Sequence, residues 1–200
     1  EGGQEVLRFN GGREYCIPDF QREIRWNEDN ISLLIDDLST SPCYLGNIIL
    51  TQHRNNTYSI IDGQQRITIL IMILHMIKRL HGTRIDVMES CKLSVESFGG
   101  LFTLIENDFA NEQIESKDII DSDKLHQMSK YYSLWTYIKN HSRIKKQQSA
   151  QIILGNIEKS QVNLILNKSD DIKDGIRYFI DVNLKGKQLD AEDIFKSYLF

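Results

Sequence analysis

Ile60-Ile61-Asp62-Gly63-Gln64-Gln65-Arg66-Ile67-Thr68-Ile69-Leu70-Ile71-Met72-Ile73-Leu74-His75-Met76-Ile77-Lys78-Arg79-Leu80-His81-Gly82 is the stretch whose reading decides the fold. Its front half is rich in β-branched residues and on that ground reads as a strand, with Asp62-Gly63 as a hairpin turn. Length argues the other way, because the seventeen residues from Gln64 to Leu80 exceed an ordinary strand. Lys78, Arg79 and His81 before Gly82 also make a good helix C-terminus, where cations meet the negative end of the dipole and glycine takes the left-handed cap. The expectation is a strand, a tight Asp-Gly turn, and a buried helix.

Upstream, Thr57 to Ile61 and Leu45 to Thr51 read as two strands around an Asn55-Asn56 turn. Before them, Asn27 is placed to cap a helix whose apolar positions Ile31, Leu34, Ile35 and Leu38 keep helical spacing. Val6 to Phe9 and Arg13 to Ile17 flank Asn10-Gly11-Gly12 and read as a β-hairpin that Pro18 closes. Downstream, Arg84 to Val95 is a strand pair or a loop, and the seven acids against one lysine in 106–123 read as a solvated surface. Residues 124–148 carry six Lys or Arg and no acid, with a helical stripe at Leu125, Met128, Tyr132, Trp135 and Ile138. A helix over about Gln147 to Lys159, a strand over Gln161 to Leu166, and two helices at about 171–182 and 190–200 complete the pattern. The fold class expected is α+β: a small mixed sheet with helices over 1–100, then a mostly helical extension over 101–200 that closes on that core, with one continuous domain as the alternative.

With 40% hydrophobic and 26% charged residues, the 200-residue chain can bury a core and is not a disordered type. A net charge of -4 excludes a simple DNA-coating protein, so any nucleic-acid contact must come from a local patch. Cys16, Cys43 and Cys91 are odd in number and lack zinc-ligand spacing, which fits free thiols in a reducing cytoplasm. The longest apolar run, Ile69 to Met76, is too short for a bilayer span, which takes roughly 20 residues. The chain does not open with Met and stops at Ser197-Tyr198-Leu199-Phe200 inside an apolar helical pattern, so further protein is expected beyond Phe200.

The strand–Asp-Gly-Gln-Gln-Arg–helix arrangement carries the clearest chemical signal. A helix N-terminus offers unpaired N–H groups and partial positive charge, to which phosphates bind readily. Gly63 lets a phosphate approach the backbone, Arg66 can grip phosphate oxygens with two prongs, and Gln64 and Gln65 can donate neutral hydrogen bonds. Asp62 is either the helix cap or a ligand for magnesium on the phosphates. Asp62 as cap and Arg66 as surface charge remains the plainer alternative. A second segment, Ile17-Pro18-Asp19-Phe20-Gln21-Arg22-Glu23-Ile24-Arg25-Trp26, is a loop anchored by Phe20 and Trp26, and in the functional reading Arg22 joins the same phosphates. A third, Phe179 to Lys196, has ordinary helix-turn-helix grammar, with Asn183 and Gly186 at the turn and Lys185, Lys187 and Lys196 as solvated charges or anion contacts. In the basic helix Tyr132 and Trp135 read as core, and its Lys and Arg face as a candidate DNA contact. No Walker-type loop, Gly-x-Gly-x-x-Gly or metal-nuclease arrangement of histidines is present.

Taken together the three segments resemble the N-terminal domain of GmrSD-type restriction endonucleases, a family with a fold similar to ParB and sulfiredoxin domains. The matching patterns are Ile-Pro-x-Phe-Gln-Arg then Trp at 17–26, a strand ending in Asp-Gly-Gln-Gln-Arg then Thr and Leu at 60–70, and Phe179, Asn183, Gly186, Leu189, Asp193 and Lys196. Ile24 departs from a frequent aromatic, and Ile69 from a frequent second Thr, which leaves only Thr68 to offer a hydroxyl. The resemblance implies bacterial defence against phage, often directed at modified DNA. It implies a domain that binds and hydrolyses a nucleoside triphosphate with Mg2+ and gates cleavage by a C-terminal HNH-type nuclease domain that this chain lacks. It assigns Asp62, Gly63, Gln64, Gln65 and Arg66 to the nucleotide site with Gln21 and Arg22 beside it, and adds Asn183, Lys185 and Lys196. Thr68 is counted with them, and the mechanism expected from the chemistry gives the catalytic roles to Arg66, which neutralises phosphate charge, and to Asp62, which holds magnesium. DNA is then a partner through the full-length protein, no membrane is involved, and homo-oligomerisation is left open. The competing readings are a DNA-sensing module without hydrolysis and an interaction scaffold of a defence complex.

Overall fold

The computed structural model describes residues 2–6, 14–18, 24–53, 57–82, 92–95, 122–167, 173–174, 176–177 and 180. Polar-apolar patterning over these residues produces six strands and five helices. In chain order they are β1 (Gly2–Val6), β2 (Glu14–Ile17), α1 (Glu28–Thr40), β3 (Tyr44–Gln52), β4 (Thr57–Asp62), α2 (Gln64–His81), β5 (Lys92–Val95), α3 (Ser122–Asn140), α4 (Ser142–Lys145), α5 (Gln147–Lys159) and β6 (Gln161–Asn167). Asn27 caps α1 as its sequence position suggests: its Oδ1 accepts from the Asn30 N–H and its own N–H donates to Asn30 Oδ1, both at 3.1 Å.

The strands form one mixed sheet in the order β1-β6-β3-β4-β2-β5. β1 and β6 are antiparallel, β6 and β3 parallel, β3 and β4 antiparallel, and β2 runs parallel to both β4 and β5. The α+β class is as expected, and the arrangement is compatible with a ParB or sulfiredoxin likeness. Of the expected N-terminal hairpin, residues 7–13, Asn10-Gly11-Gly12 among them, lie outside the described residues, and the described second arm, β2, has β4 and β5 as its neighbours. β1 lies at one edge beside β6, and three strands, β6, β3 and β4, separate it from β2. An interior slot seals Tyr15 and Ile17 at 4% and 2% exposure and sets the Tyr15 ring 5.7 Å from Tyr58. β6, from the far end of the chain, fills the slot between β1 and β3, so the sheet is built from both halves of the sequence.

Strand alternation sends Tyr15, Ile17, Ile48, Leu50, Ile60 and Val162 into one hydrophobic core with the helices. α2 runs through that core, in contact with α3, α4 and α5, and is buried on every side from Ile67 to Leu74. Its all-round apolar sequence therefore reflects a central position, and His75 is half-buried. α1 packs on α5, tied by Asn156 Nδ2 donating 2.8 Å to Leu38 O. In α3, Trp135 and Ile138 are buried as expected. The buried stripe also takes Tyr131 and Leu134, while Tyr132 is only half-buried against the core. The described part of 171–182 is helical, and the expected helix at 190–200 lies outside the described residues. No helix among the described residues is long and apolar enough to cross a membrane.

Candidate functional site

β4 reaches the site through an irregularity. Its register against β3 shifts between Ile49 and Leu50, so that Ile49 faces Asp62 while Leu50 faces Ile60. The chain then turns at Gly63, which is the N-cap of α2 with φ 89° and ψ 3°. That left-handed backbone is open to glycine at little cost. The space is also closed to a side chain, since a Cβ here would lie 3.0 Å from Ile48 Cγ1 and 3.2 Å from Asn47 O. Asp62 stands one residue before the N-cap, and its Oδ1 accepts the Gly63 N–H at 2.8 Å without reaching the amides of the first helical turn. Gly63 offers no capping side chain and the first turn of α2 holds no acid, so the positive end of an 18-residue helix is not neutralised from within that turn.

Gln65 ties the second sequence segment to this turn. Its Oε1 accepts from the backbone N–H groups of Arg25, at 2.6 Å, and Trp26, at 3.2 Å. Gln65 therefore acts here through its acceptor, where the sequence suggested donation to a ligand. Arg66 reaches back to the start of β3, where Nη1 donates to Leu45 O at 2.5 Å and Asn47 O at 3.4 Å. Gly46 makes room for it, because a Cβ there would overlap the guanidinium, 2.9 Å from Cζ and nearer still to Nη1. Both bonds use one nitrogen. Nε and Nη2 keep their donors, and no described residue accepts from them. Arg66 is thus a braced cation with part of its fork still available to an anion.

Sequence reading missed the polar ladder beside Arg66. Asn47 Oδ1 accepts from Tyr44 Oη and from Asn163 Nδ2, each at 3.1 Å, and Asn47 and Asn163 are register partners across β3 and β6. The available signal was one asparagine breaking each of two otherwise apolar strand patterns, Leu45 to Leu50 and Val162 to Leu166. Gln64 is buried at 6% exposure. Thr68 is sealed at 0%, and its Oγ1 has no hydrogen-bond partner. A buried hydroxyl without a partner costs about 1–3 kcal/mol. Thr68→Val, which keeps the shape and removes that group, is expected to raise Tm by about 2–4 °C, close to 1 kcal/mol for a chain of this size. A fall in Tm on thermal unfolding would mean that the hydroxyl is satisfied. Gln21, Arg22, Asn183, Lys185 and Lys196 lie outside the described residues.

Elsewhere the chemistry is quieter. His53 Nε2 lies 2.7 Å from Ser59 Oγ, but Ser59 is held inside β4 at 5% exposure. Burial pushes the Cys43 thiol pKa up, although its hydrogen bond with Ser160 opposes this, so Cys43 is no activated nucleophile. Among the described residues no three His, Cys, Asp or Glu side chains gather as a metal site. Asp62 alone suits magnesium only in the usual manner, with phosphate oxygens and water completing the shell. The basic segment turns its aromatics inward, Tyr131 and Trp135 being 3% and 4% exposed, and leaves Lys139, Arg143, Lys145 and Lys146 exposed. A contact of 2.7 Å between His81 Nε2 and Ile144 O brings Lys78 and Arg79 of α2 to the same end.

The family model for the GmrSD restriction endonuclease, N-terminal domain, matches residues 5–200. No curated protein matches the chain.

Proposed function

The chain belongs to the family of GmrSD restriction endonuclease N-terminal domains, and from that premise we propose that it binds a nucleoside triphosphate at the Asp62–Arg66 turn and hydrolyses it to control the nuclease part of the enzyme. The observation that supports this reading most is the pairing of an uncapped, acid-free α2 N-terminus with Arg66, whose Nε and Nη2 remain available. Backbone N–H groups of the first turn and the open side of Arg66 receive the phosphate oxygens. Asp62 is the residue that would hold magnesium, which would supply positive charge against the phosphates. Hydrolysis then asks little covalent work of the protein. Water adds to the terminal phosphorus as the bridging P–O bond breaks, the nucleoside diphosphate leaves with the bridging oxygen, phosphate and a proton are released, and Arg66 stabilises the charge that spreads over the transferred group. Gln65 keeps the 24–27 segment against the turn.

The exposed cations Lys139, Lys145 and Lys146, beside Arg143, which is paired with Asp36 at 2.6 Å, favour a second reading, contact with DNA phosphates and no hydrolysis. Phosphate release from ATP, GTP, CTP and UTP in magnesium, set against DNA affinity over a salt series, separates the two. The leading reading expects release from at least one triphosphate. DNA binding that falls steeply with salt, with no release from any, supports the second.

A further inference from the structure

Resting on that nucleotide reading, we infer that Tyr44, Asn47 and Asn163 form the subsite for the nucleoside end of the ligand, with the base stacked on the Tyr44 ring. Tyr44 is a large aromatic left 58% exposed at the head of β3. It is not loose, because its hydroxyl donates to Asn47 Oδ1 at 3.1 Å and so fixes which way the ring faces. Asn163 Nδ2 donates to the same oxygen at 3.1 Å. In this orientation the Asn47 Oδ1 takes both donors, and its Nδ2 hydrogens, which no described residue accepts, are left for a ligand. The ladder adjoins the phosphate turn directly: Asn47 O accepts from Arg66, and the same oxygen lies 3.2 Å from where a Gly63 Cβ would stand.

Polarity therefore changes over a short distance. At Arg66 and the α2 N-terminus the site is cationic and suits phosphates. At Asn47, Asn163 and Tyr44 it is neutral, rich in amide groups and aromatic. A nucleotide has the same gradient, with charged phosphates at one end and a flat, neutral, acceptor-bearing nucleoside at the other. A base on an exposed aromatic gains from stacking, and the Asn47 amide donates to a sugar oxygen or to a base acceptor.

Calorimetric titration of the wild type, Tyr44→Ala, Tyr44→Trp and Asn163→Ala with each magnesium nucleoside triphosphate and with magnesium tripolyphosphate tests this. Tyr44 is exposed, so folding is not at stake in its replacement. Tyr44→Ala is expected to weaken the preferred nucleotide about tenfold and leave tripolyphosphate unchanged. Tyr44→Trp is expected to keep nucleotide affinity, and Asn163→Ala to weaken the nucleotide alone. Equal weakening of both ligands by Tyr44→Ala, or of neither, overturns the subsite while leaving the phosphate site standing. A wild type that binds neither ligand overturns both.

Discussion

Arg66→Ala is expected to weaken nucleoside triphosphate binding by at least about 100-fold, measured by calorimetry in magnesium. Two charge-assisted hydrogen bonds to phosphate, each contributing about 1.5 kcal/mol or more, account for that factor. The same change removes the bonds to Leu45 O and Asn47 O, and Tm is expected to fall by several degrees as well. Affinity must therefore be read on protein shown by circular dichroism to be folded. Arg66→Lys separates the two effects. A lysine keeps the charge but loses the planar fork that reaches β3 and an anion together, so an intermediate loss of about tenfold is expected. Lys159→Ala, which removes an exposed cation from the far end of α5, is expected to change nothing. Equal affinities for wild type and Arg66→Ala would leave Arg66 as a brace for β3 only.

Gly63→Ala is expected to be the most damaging small substitution in the site. The left-handed backbone at φ 89° costs a residue with a Cβ about 1–2 kcal/mol. The new carbon would also press on Ile48 Cγ1 and on the backbone oxygen of Asn47, and a backbone oxygen in a sheet cannot rotate away. Overpacking of this kind adds about 1–3 kcal/mol. The total, near 3 kcal/mol, corresponds to a Tm lower by on the order of 10 °C. Gly82→Ala is the comparison: that glycine is also left-handed but has nothing within 4 Å of the Cβ position, so it should lose only the conformational part. Similar Tm values for the two variants would mean that contact with β3 contributes nothing at Gly63.

These two residues also show what was legible in the sequence. The α2 boundaries could be read because their causes are local: a glycine at each end, cations in the last turn, and an apolar run too long for a strand. Asn27 and the β3–β4 pair were legible for the same reason. Sheet order was not, since placing β6 between β1 and β3 and setting β2 parallel to β4 are choices made by burial across the whole chain. Turn chemistry carries no information about the slot between β4 and β5 that Tyr15 and Ile17 occupy. Within the site, Gly63 and Arg66 could be singled out from the motif, but the carbonyls that Arg66 grips lie 21 and 19 residues away. Asn47 and Asn163, 116 residues apart, meet only through the parallel pairing of β3 and β6. No period or spacing rule reports such a contact. It had to come from the register.

The central claim is that phosphates dock on the turn at Asp62–Arg66. Backbone hydrogen exchange of the chain, with and without saturating magnesium ATP, GTP, CTP or UTP, addresses it most directly. Slower exchange at residues 64–66 with at least one triphosphate is expected, because those amides would then donate to phosphate oxygens, whereas the Gly63 N–H already donates to Asp62 and the Ile67 N–H to Gly63 O. Unchanged exchange at 64–66 with all four, or protection confined to the basic end at 139–147, would contradict it.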